Sequence, residues 1–142
     1  MKVKGIQKMM GRFFLILMAA SIFMSCKSND GDDPAPSSNH SIDPATGTFK
    51  GTLSSGGQDY YNVIMNASKV DDSHIKVQAK AGENYSFVTP KIISVANPVG
   101  VGVGGVDSEG TINYLISTKA MQISTKKTSE NDKIFYFEGI KQ

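Results

Sequence analysis

Phe135-Tyr136-Phe137-Glu138-Gly139-Ile140-Lys141, close to the end of this 142-residue chain, alternates between two faces. Phe135, Phe137 and Gly139 fall on one side of an extended strand and Tyr136 on the other, because side chains along a strand repeat every two residues. A stretch of the same design stands far upstream, Gly47-Thr48-Phe49-Lys50-Gly51-Thr52-Leu53. Both set a phenylalanine two residues before a glycine on one face, which suits a coiled strand bent at a barrel corner. A first and a last strand that match in this way suit each other as neighbours. Pairing them closes a sheet into a barrel and removes its exposed edges.

The sequence between these ends keeps the period of two. Tyr61, Val63, Met65 and Ala67 share one face, as do Ile75, Val77 and Ala79, then Ile112, Tyr114 and Ile116, and then Met121 and Ile123. Turn clusters separate the runs: Ser54-Ser55-Gly56-Gly57, Val70-Asp71-Asp72-Ser73, Ala81-Gly82-Glu83-Asn84, Asp107-Ser108-Glu109-Gly110 and Thr128-Ser129-Glu130-Asn131. The spacing predicts strands over 47–53, 60–69, 74–80, 84–89, 91–96, 99–104, 111–118 and 119–127, with 132–139 as a ninth if the middle pair splits. No window carries a helical stripe. The expected fold is all-β, a small antiparallel up-and-down barrel of about eight strands, with a β-sandwich as the alternative.

Gly47-Thr48-Phe49 stands where lipocalins carry Gly-x-Trp, and Phe137-Glu138-Gly139-Ile140-Lys141 resembles the Phe-x-Gly-x-Lys ending of calycin-like domains. At these residues the chain resembles the calycin or lipocalin-like β-barrel lipoproteins of Bacteroidetes, although it has no tryptophan. The resemblance implies a barrel that is either packed or hollowed into a small cavity for an apolar ligand. Phe49, Tyr61, Phe87, Tyr114, Phe135 and Phe137 are the candidate interior or ligand-lining residues. Tyr60 and Tyr136 fall on the opposite face. Strands this short favour a filled interior.

The N-terminus gives an address. Lys2, Lys4, Lys8 and Arg12 precede an apolar run from Phe13 to Met24, followed by Ser25 and the only cysteine, Cys26. That order is a secretory signal, and the run is shorter than the ~20 residues that span a bilayer as a helix. Phe23-Met24-Ser25-Cys26 resembles the lipobox of bacterial lipoproteins. The resemblance implies cleavage between Ser25 and Cys26 and lipid attachment at Cys26: a thioether-linked diacylglycerol plus an N-acyl chain such as palmitate. Each buried methylene contributes about 0.8 kcal/mol, so several chains hold where one holds only marginally. Lys27-Ser28-Asn29-Asp30-Gly31-Asp32-Asp33 resembles the acidic export signal of surface-exposed lipoproteins, which implies the outer membrane with the domain facing outward. A simple solvated tether on the periplasmic face is the alternative. Pro34, Pro36 and Pro44 with the serines between them predict an extended linker. The expected organisation is a signal peptide over 1–25, a lipidated tether over 26–46 and a β-barrel domain over 47–142.

Chemistry is constrained mostly by exclusion. Four of the 15 basic residues lie in the signal, leaving 11 against 13 acids, a net charge of −2. No basic stripe remains for nucleic acid. Gly100-Val101-Gly102-Val103-Gly104-Gly105 matches Gly-x-Gly-x-x-Gly, but a turn and a strand follow it where a dinucleotide site needs a helix, which argues against nucleotide. His74 is the only histidine expected in the domain, and its alternation puts it on the polar face. There is no His/Cys cluster for a metal and no carboxylate pair outside turns. No cofactor and no enzymatic activity are expected. The reading is a membrane-anchored, non-enzymatic binding module for an unknown protein or polymer; a carrier of a small apolar ligand is the alternative.

Overall fold

The structure is a computed structural model and describes residues 39–142. Ser25, Cys26 and the signal lie outside the described residues. A 3-10 turn, Asp43–Ala45, is followed by eight strands: β1 (Gly47–Ser55), β2 (Gln58–Asp71), β3 (His74–Ala79), β4 (Lys91–Ser94), β5 (Gly102–Val106), β6 (Gly110–Leu115), β7 (Ala120–Thr125) and β8 (Tyr136–Lys141). They form one antiparallel sheet in the order β4-β3-β2-β1-β8-β7-β6-β5. Every strand except β4 and β5 therefore pairs with both its predecessor and its successor in sequence, counting the first and last strands, which pair with each other; β4 and β5 end the ladder order and face each other across the closure. This is an up-and-down barrel.

The junction of the two chain ends is a full ladder, running from Phe49↔Lys141 to Ser54↔Tyr136. Leu53 opposite Phe137 excludes the sandwich. Gly51 and Gly139 face each other in that register, for a steric reason. A Cβ on Gly51 would sit 1.9 Å from the Glu138 carbonyl oxygen, and one on Gly139 would meet the Phe137 ring at 2.5 Å. Bare backbone there lets two bent strands touch and leaves room for the ring.

The weak seam lies at the opposite wall. There the segment just past β4 meets β5 in one isolated bridge, in which Ala96 and Gly104 exchange amide-to-carbonyl hydrogen bonds of 2.9 and 3.0 Å. The glycine run serves this seam: a Cβ on Gly105 would stand 1.9 Å from the Ser94 carbonyl oxygen.

Three expectations are corrected. Residues 84–89 form no strand but a turn region, in which Ser86 donates both its amide and its hydroxyl to the Glu83 carbonyl; this brings the count to eight. β2 carries a bulge where the register with β1 shifts between Gly51 and Thr52, with Asn62 at φ 57° as the extra residue. The folded body also begins before Gly47. Ile42 and Ala45 are fully buried, because the tight 3-10 turn stacks residues three apart on one side and turns both into the barrel. Residues 40–46 thus close one mouth, with the Lys141 ammonium donating to the Pro44 carbonyl at 2.9 Å.

Candidate functional site

The barrel interior is the first place to look for a ligand site. Phe49, Tyr114, Phe135 and Phe137 are buried in one core with Leu53, Met65, Ile75, Ile93, Ile112, Met121 and Ile123. Phe49 on β1 and Tyr114 on β6 stand three strands apart around the wall. Their rings nevertheless meet edge to face at 5.8 Å and 84°. Side chains from facing walls touch, so the interior is occupied by the protein itself at that level. Tyr61 and Phe87 are not interior residues. Tyr61 is 71% exposed, since the Asn62 bulge inverts parity before Val63 and turns Tyr60 inward in its place. Phe87 is about half exposed because its segment is turn rather than strand; it packs edge-on against Tyr60 at 5.7 Å.

The far mouth carries a charged cluster that alternation could have exposed, since Lys91 shares a face with Ile93. Lys91 is 2% exposed. Its ammonium donates to the Asp132 carboxylate (2.6 Å) and the Thr128 hydroxyl (2.8 Å), and it pairs with Glu109 at 2.7 Å. Three donors meet three acceptors, so the cluster is saturated. It ties β4 to the β5–β6 and β7–β8 connections. Burial alone would push Lys91 down, but the hydrogen bonds and charges of Asp132 and Glu109 outweigh it and raise its pKa. Asp132 is held far below the ordinary carboxylate value of 3.8, first by Lys91 and then by the amide and hydroxyl of Thr128. Asp71 is lowered to about 2 by the Ser73 amide and by His74.

A lowered carboxylate contributes stability above its unfolded pKa and loses it as pH falls through the folded one. Denaturant midpoints should therefore decline as pH drops below about 4, and Asp132→Asn should show a shallower decline from a lower starting midpoint. An acid limb as steep in the variant as in the parent would contradict the role given to Asp132.

Depressions mark the outer wall of the described barrel, and two of them bear on the site. One, of about 400 Å3, lies over β6, β7, β8 and β1, where Leu115, Ala120, Ile140 and Lys50 follow one another across paired strands. Small Ala120 between two larger side chains makes the hollow. The next row is polar, Asn113, Gln122, Glu138 and Thr52, with the Gln122 amide donating to Glu138 at 2.6 Å. The other depression, of about 250 Å3, lies at the far mouth beside the β1–β2 turn and is lined by Tyr136, Ile134, Ser54 and Ser124. Both are open to solvent and lined by apolar and polar side chains.

His74 sits at the β2–β3 hairpin, where its Nδ1 lies 2.8 Å from Asp71 Oδ1 and 3.0 Å from Ser73 Oγ. A catalytic triad needs the serine on Nε2 and the acid on Nδ1; here both crowd one nitrogen, the geometry of a turn. Among the described residues no group of three His, Cys, Asp or Glu is placed to hold a metal. Sequence reasoning also missed Asn97, a buried amide whose side chain donates to the Ser41 carbonyl at 2.8 Å and accepts from the Gly100 amide at 2.9 Å. Comparison of the chain with protein-family models, with curated proteins and with solved structures finds no match.

Proposed function

We propose that the chain is a lipid-anchored, non-enzymatic binding module of a bacterial outer membrane that meets its partner with the outside of its barrel. The observation that carries this is the contact of Phe49 with Tyr114 across the interior. A calycin-type carrier keeps that space for its ligand; here it holds two rings. The outer wall offers the alternative, with paired rows of apolar and polar side chains around open hollows. The anchor rests on the lipobox-like Phe23-Met24-Ser25-Cys26 and the acidic run behind it, which favours the cell-surface face.

Native mass spectrometry of the protein purified from its own host tests the reading. The expected mass is that of the acylated chain alone, and a stoichiometric small apolar passenger would favour the carrier instead. In the same host, Cys26→Ala should leave the barrel folded and abolish acyl labelling; acylated product from that variant would remove the anchor.

A further inference from the structure

The described chain enters the barrel at a fixed point. His40 donates its amide to the Asn97 carbonyl at 2.9 Å, and its ring lies where a Cβ on Gly100 would approach it to 3.2 Å. Buried Asn97 then holds the neighbouring Ser41 carbonyl and the Gly100 amide. From there residues 42–46 cross the mouth to β1 on the opposite wall. Whatever precedes His40 leaves the body beside the β4–β5 connection.

That rim is apolar. Val99 and Val101, flanking Gly100, are 67% and 65% exposed. The Val101 carbonyl accepts the Ile116 amide at 3.1 Å, which joins this loop to the β6–β7 turn. There Leu115 is about half exposed and Lys119 projects into solvent. The carboxylates of the same mouth lie elsewhere. Asp43 and Asp72 pair with Lys69, and Asp71 with His74, around the β2–β3 hairpin. One sector of the rim thus combines bare valines with a cation, and the other gathers the acids.

We infer that the sector formed by Val99, Val101 and Lys119 rests on the lipid surface. The inference depends on the anchor proposed above, and it adds an orientation. Only 13 residues separate Cys26 from His40, so an acylated Cys26 keeps this rim continuously within reach of the membrane. A weak contact suffices at the high effective concentration a short linker creates. Apolar side chains enter the boundary of the acyl region while an ammonium stays among anionic headgroups. The acids of the β2–β3 hairpin tilt away. The far mouth, with Tyr136 and the Tyr60–Phe87 pair, then faces outward.

Acylation consumes the only native thiol, so an introduced cysteine is the one reactive site in the lipidated chain. Val101→Cys and, at the far mouth, Glu130→Cys are labelled with an environment-sensitive dye and reconstituted into vesicles of phosphatidylethanolamine and phosphatidylglycerol carrying spin-labelled acyl chains. The dye at 101 should shift to the blue and be quenched several-fold more than the dye at 130. Equal quenching at both positions, or none at either, overturns the orientation while leaving the anchor intact. A chain that carries two dyes and lacks the acyl mass overturns the anchor and the orientation with it. Melting temperatures of the two labelled chains, compared with the unsubstituted protein, confirm that each reports on a folded barrel.

Discussion

Phe49→Ala is expected to destabilise the barrel by about 3–5 kcal/mol, the usual cost of deleting a buried aromatic ring. It should also create a site for a small apolar molecule in the space that the Phe49 ring fills in the native protein. Phe49 is fully buried and reaches across the interior to Tyr114. The surrounding wall is held by paired strands on both sides, Met65 opposite Phe49 on β2 and Lys141 opposite it on β8. A strand laddered on both sides cannot move inward without breaking those ladders, so most of the vacated volume should persist. Apolar cavities of that kind stay dry and take up small hydrocarbons. A domain of this size holds roughly 5–15 kcal/mol in total, so the variant should still be folded in the cold, and urea unfolding followed by tyrosine fluorescence would give the difference. A loss below about 1 kcal/mol would mean that the two rings do not fill the barrel.

Lys91→Ala should be comparably costly, by about 3 kcal/mol, the low end of the range for removing one partner of a buried ion pair. The low end applies because Glu109 is a third exposed and water screens its share. Without the ammonium, Asp132 and Glu109 face each other at the far mouth and the Thr128 hydroxyl loses a donor. The two connections that the cluster ties to β4 should loosen together, visible as faster amide exchange in residues 107–109 and 126–135. Lys91→Met restores the packing of the aliphatic stem and none of the hydrogen bonds, so it should recover only a minor part of the loss. Full recovery by methionine would show that the stem, not the charge, matters there. Lys91 is raised and Asp132 lowered, which places the contribution of the pair across the whole neutral range. It should vanish in acid as Asp132 protonates and in strong base as Lys91 loses its proton.

Much of this architecture was legible. The paired Phe-x-Gly motifs at Phe49/Gly51 and Phe137/Gly139 announced the closing ladder because a bent strand needs both a filler and a bare backbone at fixed spacing. The alternation of Ile75, Val77 and Ala79 gave β3 with its orientation. Parity misled at Tyr61, since a single residue in a left-handed conformation, Asn62, inverts the face of everything before it, and asparagine enters that conformation without a motif around it. Phe87 misled for a different reason: a six-residue segment with one apolar alternation is too short to separate strand from turn. The entry segment was hidden by its prolines and serines. Ile42 and Ala45 are two apolar residues in a polar run, and only the 3-10 turn at Asp43–Ala45 brings them to one side. Lys91 was readable in principle from its parity with Ile93, yet a lysine on a core face has meaning only once Glu109, Thr128 and Asp132 are brought to it by other connections. For the outer wall, each strand contributes one or two side chains to a hollow, and the register that lines up Leu115, Ala120, Ile140 and Lys50 is a property of four strands together.

Two methyl groups report whether the barrel is filled by its own side chains and leaves binding to its outside. Met65 pairs with Phe49 and Met121 with Tyr114, and both methionines are fully buried. Their methyl resonances are therefore reporters placed beside the two rings. Titration of the native domain with small hydrocarbons and fatty acids should leave both resonances unmoved, whereas the Phe49→Ala variant should show saturable shifts. Saturable shifts of Met65 and Met121 in the native domain would make the interior a ligand site and refute binding on the outside alone.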